Sequence, residues 1–241
     1  PGECVPSDPV QFVLVPAVYC LVLCVGLPGN LVALLVFLQS GKVRKAIRIY
    51  LINLTLADIL FNLTLPLWIP YYLAGGDWLL SEAACRLAGA AYYLATYSAV
   101  TFMALISFNR YCAVRAARRE LPLTGRRGSH RQQARAMVLG MLLVFVVCVA
   151  PYHLTLAPWV DSQPPVPLCG PPAALDVLHM LSVALLSLNS CLDPLIYCFS
   201  IRRFRADLGR TLRKIGRCIP LSPPAPTGPV PSARASSFAS S

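Results

Sequence analysis

The chain has 241 residues, of which 56% are hydrophobic and only 13% charged, with a formal net charge of +11. That composition excludes an ordinary soluble domain and a disordered chain alike, because water cannot be the solvent for so much apolar surface. The basic excess does not require nucleic acid as a partner if it is confined to one side of a membrane.

A helix needs about 20 apolar residues to cross hydrocarbon, and five charge-poor stretches reach that length. No charge falls between Asp8 and Lys42, and residues 12–38 read as the first span, holding Tyr19 and Asn30. A basic loop at 39–48 leads to the second span at 49–73, which contains Asp58 and Pro66. Gly75-Gly76-Asp77-Trp78 reads as a turn. The third span lies between Arg86 and Arg110, followed by a long basic link at 115–133. The fourth lies between Arg135 and Asp161 and contains Pro151; a Pro-rich loop at 162–172 joins it to the fifth, between Asp176 and Arg202, with Asp193 near its end. The sequons at Asn53 and Asn62 fall inside the second span, out of reach of a glycosyltransferase.

An odd number of spans puts the two termini on opposite sides. All but Arg86 of the 21 basic residues fall on one set of segments, whereas Glu3, Asp8, Asp77, Glu82, Asp161 and Asp176 fall on the other. Basic residues near span ends stay in the cytosol, so the reading is a multi-pass protein with its amino terminus outside and carboxyl terminus in the cytosol. The first residue is Pro1, and the first apolar run is too long for a signal peptide, which reads as a missing start followed by a true span.

Beyond the fifth span, Phe204, Leu208, Leu212 and Ile215 recur at helical spacing among arginines. Such a helix is expected to lie along the membrane surface, ending at Cys218, a candidate palmitoylation site. The tail at 220–241 is rich in Pro, Ser and Ala and is expected to be disordered. The domain reading is therefore an extracellular stretch at 1–11, a bundle with its surface helix at 12–217 and a tail at 218–241.

Ionisable groups inside hydrocarbon are costly, so they are functional candidates by default. Asp58 and Asp193, with Asn30 and Asn189, fall at depths that suit one polar cluster. The cluster either holds a cation with water or ties helices together without an ion, and the residues alone leave both open. Near the opposite ends of the spans stand Trp68, Tyr71, Tyr92, Tyr93, Tyr97, Tyr152, His153, Trp159 and His179. Such residues suit a pocket for an amphiphilic ligand, with histidine meeting phosphate and rings packing a quaternary ammonium or an acyl chain. An interfacial aromatic belt is the competing reading; it is favoured for Trp159, and the pocket for Tyr93 and His153. His130, His153 and His179 have no recognisable nucleophile or metal partner, so no enzyme is expected. Inverted repeats are missing, which argues against a transporter.

Most of the ten cysteines lie in spans and read as small apolar residues. Cys4, Cys85 and Cys169 sit where oxidation is favoured, and three thiols cannot all pair.

In chain order these motifs resemble the rhodopsin-like (class A) G-protein-coupled receptors. Gly29-Asn30 is similar to the family's first-span signature, Leu54-Thr-Leu-Ala-Asp58 to the second, and Leu65-Pro66-Leu-Trp68 to its bend. Trp78 and Cys85 resemble the loop and cysteine that head the third span, and Asn109-Arg110-Tyr111 the acidic-Arg-Tyr motif that ends it. Phe145-Val-Val-Cys148-Val-Ala-Pro151 resembles the sixth span, and Asn189-Ser-Cys-Leu-Asp193-Pro194-Leu-Ile-Tyr197 the seventh. The resemblance implies an all-α rhodopsin-like bundle in which five of seven spans are present and the fourth and fifth are absent. Within the family the likeness is to receptors for a phospholipid agonist. It implies a ligand site at Tyr19, Trp68, Tyr92, Tyr93, Tyr97, Tyr152, His153 and His179, and an ion and activation cluster at Asn30, Asp58, Asn189, Asp193 and Tyr197, with sodium at Asp58 as the one candidate cofactor. Arg110 is the implied contact with a heterotrimeric G protein, and the Ser-rich tail the implied contact with arrestin and receptor kinases. Receptor oligomers are a further implied partner. Cys4 pairs with Cys169 by the same likeness, which leaves Cys85 without its partner.

The sequence also departs from the family. Asn109 replaces an acid, Val149 stands at the aromatic switch position, and Ala99 stands where a serine near the ion is common. With one wall of the pocket missing, the five-span form is expected to give weak or no agonist response. It is expected at the plasma membrane or, as a truncated form, held in the endoplasmic reticulum.

Overall fold

The computed structural model describes residues 8–39, 45–119, 125–163 and 171–218. Among these, every regular element is a helix: α1 (Val15–Gln39), α2 (Lys45–Leu73), α3 (Glu82–Arg119), α4 (Gly125–Val144), α5 (Ala150–Ser162), α6 (Ala174–Ser200) and α7 (Arg202–Cys218). Wider π-turns at Val10–Leu14 and Phe145–Val149 lead into α1 and join α4 to α5, so five continuous rods are long and apolar enough to cross a membrane.

The rod ends differ from the expected spans for local reasons. The first begins at Val10 because the Asp8 carboxylate accepts from the Val10 and Gln11 N–H groups at 2.9 and 3.3 Å, capping the helix. α3 runs for 38 residues, about 57 Å, so its charged ends extend past the hydrocarbon layer. The free carbonyls of Phe37 and Leu38 at the end of α1 are met by the Arg48 guanidinium, both at 2.8 Å.

The rods close into a ring: α1 packs on α2, α2 on α3, α3 on α4, the α4–α5 rod on α6, and α6 back on α1. α7 turns off the end of α6 and rests on α1. Phe37, Tyr197 and Phe204 hold that corner, with ring centroids 5.2 to 5.8 Å apart. The outward faces carry Leu154, 75% exposed, and Phe199, 78% exposed. Such surface would aggregate in water and is the ordinary face of a helix in lipid. The acidic end of the bundle bears Asp8, Asp77, Glu82, Asp161 and Asp176; the basic end bears Arg48, Arg110, Arg131 and α7.

Candidate functional site

Polar groups gather at two levels. The deeper level lies between α1, α2 and α6. Pro194 has no N–H, so the carbonyl of Ser190 four residues earlier lacks its helical donor. Asn30 supplies one, donating from Nδ2 at 2.7 Å, and also bonds the Gly26 carbonyl at 2.9 Å. Asn62 donates to the Asp58 carbonyl at 2.8 Å and to Ser190 Oγ at 3.2 Å. The side chains of Asp58 and Asp193 are fully enclosed and interact with one another. Among the described residues, no hydrogen-bond donor meets either Asp193 oxygen, Asp58 Oδ2 or the amide oxygens of Asn30, Asn62 and Asn189. Buried oxygens without donors, three of them from two carboxylates, need a proton or a cation to settle their charge. Hard oxygen ligands of this kind suit an alkali or alkaline-earth ion with water.

The structure thus brings Asn30, Asp58 and Asp193 to one level, with Asn189 buried next to Ser190 in the chain, and buries Tyr197 toward the basic end. It adds Asn62, Ser190 and Gly26, which the sequence did not single out for this role. A Cβ on Gly26 would stand 2.9 Å from Asn62 Oδ1 and 3.0 Å from Cys191 Sγ, so the present positions of those two side chains depend on its absence.

The second level is an aromatic arc at the acidic end. Trp78 meets Trp68 at 5.6 Å, Trp68 meets Tyr92 at 6.0 Å, and Tyr92 meets Tyr93 at 5.6 Å. The hydroxyl of Tyr93 then lies 3.4 Å from that of Tyr152. Tyr19 closes the α1 side, its hydroxyl 3.5 Å from that of Tyr92. At the other end His179 sits between two rings of α5, with Trp159 stacked at 4.3 Å and Tyr152 at 5.4 Å. Its Nδ1 lies 2.9 Å from Thr155 Oγ1, which is 3.0 Å from Ser182 Oγ. Thr155 has one proton, and the carbonyls of Pro151 and Tyr152 lie within its reach. The network uses every group if Nδ1 carries the imidazole proton and donates to Thr155.

The eight ligand candidates are therefore linked but do not share one environment. Tyr19, Tyr92, Tyr152 and His179 are buried, Trp68 is half-buried, and Tyr93, Tyr97 and His153 face outward. Tyr93 and Tyr97 stack at 6.3 Å, and Tyr97 meets the His153 ring at 5.7 Å. His153 Nδ1 is spent on the Val149 carbonyl at 3.0 Å. Trp159, read from sequence as a belt residue, donates to Asp176 Oδ1 at 3.0 Å and stacks on His179, because Asp176 is fixed at the head of α6. Arg110 is half-buried near the basic end of α3. Cys85 is a free thiol, whereas Cys4, Cys169 and the tail fall outside the described residues, as does the side chain of Cys218.

A ring of lipid-facing rods around buried carboxyls, capped by aromatic residues at one end, defines a multi-pass helical membrane protein. The family model for seven-transmembrane receptors of the rhodopsin family matches residues 29–128 and 115–197, and the chain belongs to that family. It is 27% identical to the platelet-activating factor receptor of Bos taurus over 295 positions, covering 84% of this chain and 86% of that protein. The corresponding figures for the Mus musculus receptor are 27% identity over 304 positions, 86% of this chain and 89% of that protein. G-protein coupled receptor 183 of Salmo salar is 26% identical over 294 positions, 84% of this chain and 80% of that protein.

The alignment to the bovine receptor spans 295 positions but uses 84% of a 241-residue chain, so roughly 90 of its positions have no counterpart here. That is the length of two membrane helices with their loop. The family match also breaks in two, with residues 115–128 claimed by both pieces, at the link between α3 and α4.

Proposed function

We propose that the chain is built as a receptor for a phospholipid mediator of the platelet-activating factor class. The basic end faces a heterotrimeric G protein in the cytosol, at the plasma membrane. The observation that carries the reading is His179, held between Trp159 and Tyr152 and tied to Thr155, in a chain similar to platelet-activating factor receptors along most of its length. An imidazole with one nitrogen engaged offers the other to a phosphate or its water, and the neighbouring rings suit a quaternary ammonium or an acyl chain. Sodium with water at Asp58 and Asp193 belongs to the same reading, as do acylation of Cys218 and arrestin and receptor-kinase contacts in the tail.

The missing pair of helices lowers agonist affinity because the flank bearing Tyr93, Tyr97 and His153 stands open. The test compares this chain with a version carrying the two-helix segment of the bovine receptor inserted at 120–124. Radiolabelled platelet-activating factor should bind the grafted chain and release calcium, with little response from the five-span form. A grafted chain that reaches the cell surface and binds none overturns the ligand assignment.

The same open flank supports a second reading, in which the chain is a non-signalling form that pairs with intact receptors. Tyr93 and Tyr97 are 46% and 47% exposed, and polar side chains at a lipid-facing surface favour helix association. Co-expression should then reduce surface display of the bovine receptor, and Tyr97→Leu with His153→Leu should restore it. Unchanged display on co-expression removes this reading.

A further inference from the structure

His179 is the side chain assigned to the phosphate, yet it is only 3% exposed. Two rungs join α5 to α6 around it. On the inner rung His179 Nδ1 meets Thr155 Oγ1 at 2.9 Å, and on the outer rung the Trp159 indole N–H donates to Asp176 Oδ1 at 3.0 Å. Thr155 and Trp159 are one turn apart on α5, as Asp176 and His179 are on α6, so each pair shares a helix face. Between the rungs the Trp159 ring lies flat against the imidazole, with centroids 4.3 Å apart and planes inclined by 16°. Tyr152 supplies a second ring at 5.4 Å. A headgroup therefore reaches the imidazole only after one of these rings moves.

Trp159 is the ring placed to move. Tyr152 is buried in the core, with its hydroxyl 3.4 Å from that of Tyr93. Trp159 is half-buried and stands in the last turn of α5, just after Pro158. Pro158 has no N–H, so the carbonyl of Leu154 lacks its helical donor and that turn is held by one backbone bond fewer. What fixes the indole is the Asp176 carboxylate, and that carboxylate is itself anchored. Its Oδ2 accepts from the Ala173 N–H at 3.0 Å at the head of α6, and its Oδ1 also accepts from the Gln163 amide at 3.2 Å. One side chain thus gathers the end of α5, the start of α6 and the ring over His179.

We propose that Asp176 is a positioning residue of the phospholipid site: it holds Trp159 across His179, and the imidazole opens to a headgroup when the indole releases the carboxylate. Ligand access in this scheme rests on the assignment of His179 to the phosphate; the cover over the imidazole does not.

The test reads the cover without an agonist. The full chain in detergent is treated with diethyl pyrocarbonate, which modifies accessible imidazole nitrogens, and peptide mass spectrometry follows each site, with the exposed His153 as internal reference. Wild-type His179 should react several-fold more slowly than His153. Trp159→Phe keeps a ring at that place and leaves the bonds from Gln163 and Ala173 to Asp176 intact, but it cannot donate to the carboxylate. It should raise the His179 rate several-fold with His153 unchanged. Asp176→Ala should do the same, whereas Asp176→Asn, which keeps an acceptor oxygen for the indole, should stay close to wild type. A His179 rate that ignores both Trp159→Phe and Asp176→Ala overturns the positioning role, as does a wild-type His179 that reacts as fast as His153. A joint rise at both histidines marks loosening of the whole outer end and overturns it too. Platelet-activating factor added to the grafted Trp159→Phe chain should then protect His179. Absence of protection, with the other rates as expected, removes the phosphate contact and leaves Asp176 as the residue that holds Trp159.

Discussion

Asn30 donates from its side-chain amide to the carbonyl of Ser190 at 2.7 Å, the carbonyl that Pro194 strips of its helical partner. The bond joins the first and last rods at the point where a helix in lipid has a polar group to satisfy. Replacing Asn30 with Ala leaves that acceptor buried and unpaired, a loss of about 1–3 kcal/mol. The melting temperature in detergent should fall, and it should fall less in a Pro194→Ala background, where residue 194 regains its own N–H. Equal losses in both backgrounds would show that Asn30 does not serve the proline.

Gly26 and Gly29 lie three residues apart on α1 and should respond unequally to the same change. Gly26→Ala places a methyl 2.9 Å from Asn62 Oδ1, so the buried Asn62 side chain and that of Cys191 must give way, at a cost of about 1–3 kcal/mol. Gly29→Ala makes an ordinary contact with Pro194 at 3.7 Å and should leave stability nearly unchanged. Thermal unfolding of the two variants side by side distinguishes a packing requirement from a general intolerance of α1.

How far the sequence discloses this arrangement depends on whether a residue's role is set by its own chemistry or by the rotation of its helix. Asp58 and Asp193 are conspicuous because a carboxylate in hydrocarbon is rare, and the five rods follow from apolar length alone. Asn62 carries the same kind of group, yet in sequence it reads as an accidental sequon. Only the packing of α2 against α6 aims it at Ser190. Tyr92 and Tyr93 are adjacent and chemically identical, but one turns into the α1–α2–α3 core and the other toward the flank that has no covering helix. Tyr152 and His153 divide in the same way, one buried and one exposed. Both splits depend on which helices stand beside α3 and α5, and two of the family's helices have no counterpart at that place.

The oxygens around Asp58 and Asp193 predict an ion-dependent stability. If sodium binds there, replacing choline chloride with sodium chloride at constant ionic strength should raise the melting temperature, and Asp58→Asn should abolish the rise. Asp193→Asn removes one of two facing carboxyls and should reduce the rise while stabilising the chain in choline chloride, where their repulsion is uncompensated. A melting temperature that ignores sodium in the wild-type chain assigns the cluster to helix tying alone.

The corner formed by Phe37, Tyr197 and Phe204 sets the position of α7. Its rings touch at 5.2 to 5.8 Å, and Phe204 is the buried aromatic that α7 contributes. The remaining apolar residues of α7 include Leu212, half exposed, so lipid rather than protein covers much of the helix. Phe204→Ala should therefore release α7 from α1 without unfolding the bundle: amide exchange should quicken across 202–218 while α1 and α6 keep their protection. Faster exchange in α6 as well would mean that Tyr197 depends on this contact for its place. In that case the surface helix and the polar cluster above it form one cooperative unit, because Tyr197 shares the last turns of α6 with Asp193.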